Sequence, residues 1–580
     1  MSASSLNAIN AKLERTLHHL IHLRRWRNFL ASPLLRLPTE LILEIFAHTA
    51  KPHDMVRFWT LSATICHRLR KMLICSSLPW RVVDFDPPRL TKLFLERCEF
   101  NPHAIFARNY LWSPSVEAER LVLWGELEGR MFNNLRFLIF VGSRHEFDCQ
   151  VVDLLRRAPN LSSLEVNVNS HSDWVLECSL NDYLPHLTML RINKVRISWT
   201  SPLPRNLTNL ILDFTGVHTP HEFTPIQTFL VALENCPDLE DLKLISAGPE
   251  MPDGDQDNCE VVVRLGRLKG LTLRFEDPKM VGYILSHIWF PEPAKIQVSS
   301  SCCDGLCAAL PQVLPPPRME TFQYLRKTKT ITINLDTESY NLTTDNFHIV
   351  LRPPDDEDMT HQSNLETSPQ FASKVIEITG SDTVTALHVL SDLPFDIPQE
   401  MWEKLLHGFP RLEVISYSPF FIGPRRDYVD PFCLTFSEPF EGKPVCPQLW
   451  DLRIPWAFAH GPSAVTLKRA LLERDAYGKR LKRISLSHRF GENGILALEP
   501  LRDVVDEVSG FRDLSTCTPP PVSRFSGQVI AVRSRRTDFF FPPHDSTATY
   551  SSGVLSSPIK SPKYDASSDA RQYNLQRKSI

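Results

Sequence analysis

One short phrase recurs along this chain, and its spacing restricts the available folds more than anything else in the sequence. The phrase is a leucine, two further residues, a Leu or Ile, one residue, then an apolar residue. It stands at Leu135-Arg-Phe-Leu138-Ile-Phe140, Leu161-Ser-Ser-Leu164-Glu-Val166 and Leu187-Thr-Met-Leu190-Arg-Ile192. It returns at Leu207-Thr-Asn-Leu210-Ile-Leu212, Leu239-Glu-Asp-Leu242-Lys-Leu244 and Leu268-Lys-Gly-Leu271-Thr-Leu273. The first leucines of these six are separated by 26, 26, 20, 32 and 29 residues. The phrase resumes at Leu412-Glu-Val-Ile415, Leu449-Trp-Asp-Leu452-Arg-Ile454 and Leu481-Lys-Arg-Ile484-Ser-Leu486. Apolar residues at every second position predict a short strand with one face turned inward. Helix-like stretches at 151–157, 226–234 and 400–406 separate the phrases. Prolines 159, 237, 410 and 447 close several of the intervals. Proline lacks an N–H and holds the residue before it extended, so it stops a helix and turns the chain into a strand. A single strand–helix unit cannot bury its own apolar face, so such units must stack. The expected fold class is therefore α/β, with stacked strand–helix units over 81–515.

Composition narrows the classes further. A chain of 580 residues is too long for a single core. Its net charge of −3 gives no electrostatic case for nucleic acid or an anionic membrane. With 21 glycines against 46 prolines, Gly-rich phosphate cradles are not expected. No apolar run approaches the length of a membrane span. Residues 1–26 carry charges throughout and read as neither a signal peptide nor an acid-free leader. The 13 cysteines lack framework spacing, which fits reduced thiols in a cytoplasmic and/or nuclear protein. The sequons at Asn160, Asn206 and Asn341 are then chance matches.

Ahead of the repeats lie two other regions. Residues 1–33 read as an amphipathic helix, with Leu6, Ile9, Leu13, Leu17 and Leu20 on one face. That face is expected to pack on the next domain; a coiled-coil dimer is the alternative. Residues 34–80 read as a compact helical block. Pro38 opens a helix, with Thr39 and Glu40 in its first turn, and a second helical stretch runs over 55–73. Within the array, Ile331-Thr-Ile333 and Ala386 to Leu390 are candidate strands, with an acidic insertion near 351–373. The segment 516–580 is rich in Ser, Pro and Arg and reads as a disordered tail. It contains the proline-directed sites Ser557-Pro558 and Ser561-Pro562 and the apolar cluster Phe539-Phe540-Phe541.

The segment Leu37-Pro38-Thr39-Glu40-Leu41-Ile42-Leu43-Glu44-Ile45-Phe46 resembles the opening of an F-box. The stretch from Leu61 to Arg70 resembles that family's second conserved run, with Leu69 standing where the family carries a tryptophan. Trp80 sits where many members carry a closing aromatic. The array resembles the leucine-rich repeats that follow an F-box, although the asparagine common after the strand is mostly missing. The resemblance implies a short all-α F-box followed by a curved leucine-rich-repeat-like solenoid of strand–helix units. It also implies a substrate adaptor of an SCF (Skp–cullin–F-box) ubiquitin ligase, docked on a Skp-family adaptor and through it on a cullin. Leu37, Pro38, Leu41, Ile42, Ile45, Phe46, Ile65, Cys66 and Leu69 would carry that docking. Side chains between the strand leucines would meet an unknown target protein: Glu165, Asn167, Arg191, Asn193, Asp213, Lys243, Arg274, Tyr417 and Arg453. The alternative is a repeat scaffold that binds a protein partner without ubiquitin chemistry, its helical block a cap.

No enzyme, cofactor or metal site is expected. The run Asp253-Gly254-Asp255-Gln256-Asp257 alternates carboxylates like a calcium loop, but Asn258 and Arg264 stand where glycine and glutamate are needed. Cys302, Cys303 and Cys307 lack a second ligand pair at zinc spacing. His18 and His22, four apart on a helix, read as surface residues. Nucleophile-elbow, zincin and P-loop motifs are missing.

Overall fold

Each of the nine phrases folds as a strand that begins two residues after its first leucine. The computed structural model describes residues 3–49, 55–85, 88–108, 114–168, 175–176, 184–200, 203–215, 225–249, 251, 261–301, 306–314, 325–336, 339–352, 368–391, 396–419, 429–439, 442–455, 458, 461–487, 501 and 503–511. The chain divides into the units Met1–Pro520 and Pro521–Ile580, and every described residue lies in the first. The expected tail with its Ser-Pro sites and phenylalanine cluster, most of the acidic insertion, the carboxylate loop at 253–257, and Cys302 and Cys303 lie outside the described residues.

The dominant element is a mixed but largely parallel sheet of 17 strands. In chain order these are β1 (Val82–Asp84), β2 (Ala104–Arg108), β3 (Phe137–Gly142), β4 (Ser163–Val168), β5 (Met189–Asn193) and β6 (Asn209–Asp213). Next come β7 (Asp241–Ile245), β8 (Gly270–Arg274), β9 (Lys295–Ser301), β10 (Thr330–Leu335), β11 (Tyr340–Thr343) and β12 (Phe347–Arg352). The last are β13 (Ala386–Ser391), β14 (Val414–Pro419), β15 (Asp451–Pro455), β16 (Arg483–Ser487) and β17 (Glu507–Phe511). From β1 to β9 each strand pairs in parallel with the one before it, and the same holds from β13 to β17.

Register follows from the phrase. Leu138, Leu164, Leu190, Leu210, Leu242 and Leu271 lie side by side, as do Ile415, Leu452 and Ile484. All three apolar positions of every phrase are buried. Three such side chains contribute roughly 5–9 kcal/mol per unit before the entropy of ordering is subtracted. Hydroxyls at the phrase's second position tie consecutive units together. Ser162 donates to the Arg136 carbonyl at 3.0 Å, Thr188 to that of Ser162 at 3.0 Å, and Thr208 to that of Thr188 at 3.0 Å.

The middle of the chain departs from one strand per unit. There β10, β11 and β12 form an antiparallel meander, and the sheet order becomes β9-β12-β11-β10-β13. The chain enters this section beside β13 and returns to β9, and so leaves both flanking pairings parallel. Two turns make the reversal: Asp336 N donates to the Ser339 carbonyl at 2.9 Å, and Thr344 N to that of Phe347 at 2.7 Å. Of the acidic insertion, the first two residues belong to β12 and residues 368–373 to a helix.

Before the sheet come α1 (Ala3–Ala31), α2 (Pro33–Arg36), α3 (Thr39–Thr49), α4 (Met55–Ile65) and α5 (His67–Cys75). The helical stretch expected over 55–73 is two helices, broken at Cys66, whose backbone is extended at φ −155°. The apolar face of α1 does not pack on the next domain as expected: Leu6, Ile9, Leu13, Leu17 and Leu20 are exposed. Within the array, α6 (Pro88–Arg97), α7 (Pro114–Leu127), α8 (Val152–Arg156), α9 (Ile226–Glu234), α10 (Pro278–Ser286), α11 (Leu306–Val313), α12 (Ser368–Thr379), α13 (Gln399–Gly408), α14 (Pro431–Ser437) and α15 (Gly461–Ala476) connect strands. From α10 onward each helix packs on the next. Among the described residues no helix is long and apolar enough to cross a membrane.

Gly282 of α10 faces the backbone carbonyl of Gln312 in α11, with no room for a Cβ between them. A methyl there must push two packed helices apart. Gly282→Ala is expected to cost about 1–3 kcal/mol. Gly266→Ala, whose Cβ meets open space, serves as the neutral control. Thermal unfolding followed by circular dichroism checks this; equal midpoints for the two variants would refute it.

Candidate functional site

The N-terminal block closes its own core. Ile42, Leu43 and Phe46 of α3 meet Trp59 of α4 and Leu69, Met72 and Leu73 of α5. Phe46 packs edge-on against Phe58 with centroids 5.3 Å apart. The Arg68 guanidinium donates to the Leu37 carbonyl at 3.1 Å and fixes the entry to α3. Ile42, Phe46 and Leu69 are thus interior residues, and their expected role in partner contact is corrected. Helical spacing turns Ile42 and Phe46 of α3 and Leu69 of α5 into the shared core, where burial holds the block together.

The outward side of α3 carries Leu41, 46% exposed, and Ile45, 43% exposed, one turn apart. Pro38 is also exposed, while Leu37 and Cys66 are half-buried. On α4, Leu61 and Ile65 form a second exposed pair at the same spacing. Sequence reasoning omitted Leu61 from the contact set, although its four-residue interval to Ile65 was a signal.

Trp80 joins the block to the array. Its indole donates to the Leu73 carbonyl at 3.0 Å, and its ring meets Phe94 of α6 edge-on at 4.8 Å. Arg97 lies over that ring at 4.9 Å and donates to the Ile74 carbonyl at 2.9 Å. The exposed apolar pairs therefore ride on a block tied to the first strand–helix unit.

A polar face forms where sheet register aligns the outward residues. Glu165 lies beside Arg191, with Nε 3.7 Å from the carboxylate. Lys243 sits two strands further on in the same row, on strands spaced about 4.8 Å apart. The next row holds Asn167, Asn193 and Asp213 side by side, with Arg274 two strands beyond. Lys243 has its pKa lowered by burial, then by the charges of Arg191 and Arg274, against the opposing pull of Asp213. The buried Nε of Arg191 makes no hydrogen bond. Eight of the nine residues expected to face a target are half-buried or exposed. Seven of the eight, all but Arg453, share one neighbourhood.

The eighth, Arg453, stands apart, in register with Ser416 and, one strand further, His388. Its Nε and Nη2 donate to the wholly buried Asp451 carboxylate at 3.1 and 2.8 Å. His388 is held below its usual pKa by burial and then by Arg453, with Asp451 opposing. The ninth, Tyr417, is a correction. It fills the last apolar position of its phrase, so alternation turns it inward, edge-on to Trp402 at 4.8 Å and beside Phe432 and Phe458.

Compared with known proteins, the chain matches no family model and no curated protein. Among the described residues, no three His, Cys, Asp or Glu side chains group as metal ligands. His18, His19 and His22 are exposed on α1. The described residues thus present an apolar helical surface on the N-terminal block and rows of charged and amide side chains on the sheet.

Proposed function

We propose that this chain is a substrate-recognition adaptor of an SCF-type ubiquitin ligase. Its N-terminal block acts as an F-box that docks on a Skp-family adaptor and through it on a cullin. The strand–helix units form a leucine-rich-repeat-like solenoid, and its polar face holds the target protein. The observation that carries this reading is the exposed pair Leu41 and Ile45 on a helix whose other side already completes the block's core. Apolar side chains left outward on a closed block suit a helical partner. The adaptor works by proximity, holding target lysines beside a charged conjugating enzyme, and needs no catalytic residue of its own.

A second reading has its own support. The anchoring of Trp80 by Phe94 and Arg97 suits a cap on the first unit of a scaffold that binds a protein without ubiquitin chemistry. Co-purification of the full chain with a Skp-family adaptor separates the two. The intact chain is expected to bind, and Leu41→Asp with Ile45→Asp to weaken binding at least ~100-fold. Both substitutions fall on exposed positions, so the variant's near-ultraviolet circular dichroism should match that of the parent. If neither protein binds while both remain folded, the cap reading takes over.

A further inference from the structure

The helix α1 carries a seam that nothing in the proposed adaptor function uses. Leu6, Leu13 and Leu20 recur every seven residues, and Ile9, Leu23 and Leu30 occupy the second apolar position of the same heptads. Thr16 and Arg27 are the two interruptions. On a straight helix such a seam drifts by about 20° per heptad, which suits a second helix winding around it rather than a fixed globular surface. All six seam side chains are exposed, from 44% at Leu20 to 67% at Leu13, as is Leu17 beside them. The C-terminal end of the helix is tied to the block, where Arg68 lies over the Phe29 ring at 5.2 Å.

We propose that α1 pairs with α1 of a second copy of this chain as an antiparallel coiled coil. Charge selects the direction. Arg24, Arg25 and Arg27 cluster at one end of the helix. A parallel pair would crowd six guanidinium groups together; an antiparallel pair sets the clusters at opposite ends of a helix roughly 43 Å long. The seam then matches itself about a two-fold axis: Leu6 faces Leu30, Leu13 faces Leu23, and Thr16 faces Leu20 of the second copy. Lys12 comes to flank Trp26, a favourable cation–ring pairing. Arg27 meets Ile9 through its aliphatic stem. A two-fold contact of this kind closes on itself, so assembly stops at two. The half-exposed seam and Leu17 offer on the order of 600 Å² per helix, or roughly 1,200 Å² across the pair, the lower end of specific interfaces.

The test is the mass of the full chain in solution, by light scattering coupled to size exclusion at micromolar concentration. The expected result is twice the chain mass of 66.4 kDa. Leu13→Glu with Leu20→Glu, both at exposed positions and both compatible with a helix, should return the mass to that of one chain without loss of helical signal. A monomeric parent, or a variant that remains dimeric, overturns the proposal. So does a monomer that sediments with phosphatidylserine vesicles, which would make α1 a lipid-surface helix. Direction is read by mixing Leu6→Cys and Leu30→Cys proteins under mild oxidation. A 6-to-30 cross-link in the peptide map supports the antiparallel pair, and a 6-to-6 cross-link overturns it.

Discussion

Arg474→Ala is expected to cost about 3–5 kcal/mol and to unfold the C-terminal part of the array first. Arg474 projects from α15 into the interior and is 1% exposed. Its guanidinium donates to the Val445 carbonyl, to that of Cys446 at 3.1 Å and to that of Leu449 at 3.3 Å. These three acceptors belong to the bend that delivers the chain into β15, where Cys446 holds a positive φ of 49°. That conformation is costly for a side chain with a Cβ, so outside contacts must fix it. Arg474 supplies them from one side, and Cys446 adds its own link by donating from Sγ to the Leu406 carbonyl at 3.3 Å. The guanidinium also lies over the Phe436 ring at 5.4 Å, and burial pushes its pKa down. Alanine would take the guanidinium donor from the Val445 and Leu449 carbonyls, each worth about 1–3 kcal/mol, would leave the Cys446 carbonyl its bond from Leu449 N at 3.0 Å, and would open a void in place of the stem. Arg474→Lys should recover only part of the loss, because one ammonium cannot span acceptors arranged for a planar fork. Urea unfolding monitored by tryptophan fluorescence measures the difference. A midpoint equal to the parent's would show that the bend stands without Arg474.

The same bend shows where sequence reading works and where it stops. The phrase Leu449-Trp-Asp-Leu452-Arg-Ile454 announces its strand because alternation is a local property, and the strand begins where the phrase predicts. Nothing local to Arg474 says that it is buried; it lies in a helix with other charges, and its acceptors are at least 25 residues away. The apolar helical face of the block follows the same rule. Spacing identifies Leu41, Ile42, Ile45 and Phe46 as helical, but which of them turn inward depends on where α4 and α5 lie. The meander of β10, β11 and β12 was half legible. Ile331 and Ile333 alternate, and so do Tyr340 with Leu342 and Phe347 with Ile349, but the leading leucine that marks a unit is missing from all three. The reversal of direction depends on hydrogen bonds in the two turns, which residue type alone did not signal. The polar face was legible because strand register, once the leucines align, carries the intervening residues into rows.

A second large effect is expected from pH acting on Asp430. This residue caps α14, its carboxylate accepting from Phe432 N at 2.8 Å while its own N–H donates to Ser463 Oγ at 3.0 Å. Burial pushes its pKa up from 3.8 to about 7; the Phe432 hydrogen bond pulls the other way, and Asp396 adds to the rise. The folded state therefore holds the proton more tightly than the unfolded state. Below pH 3.8 both states are protonated, and the group does not bias folding. As pH rises from there the unfolded chain ionises first, and stability is lost progressively until the folded carboxyl also ionises near pH 7. The full span is worth about 4 kcal/mol at most. Asparagine keeps the capping oxygen and removes the ionisation. Asp430→Asn is thus expected to match the parent within about 1 kcal/mol near pH 4, and to exceed it by roughly 2–4 kcal/mol at pH 8. Subtracting urea unfolding curves of variant and parent at each pH removes the contribution of every other titrating group. A difference that grows with pH would identify Asp430 as the source. A flat difference would show that the carboxyl ionises in the folded chain as freely as in water, and that α14 and α15 open around it.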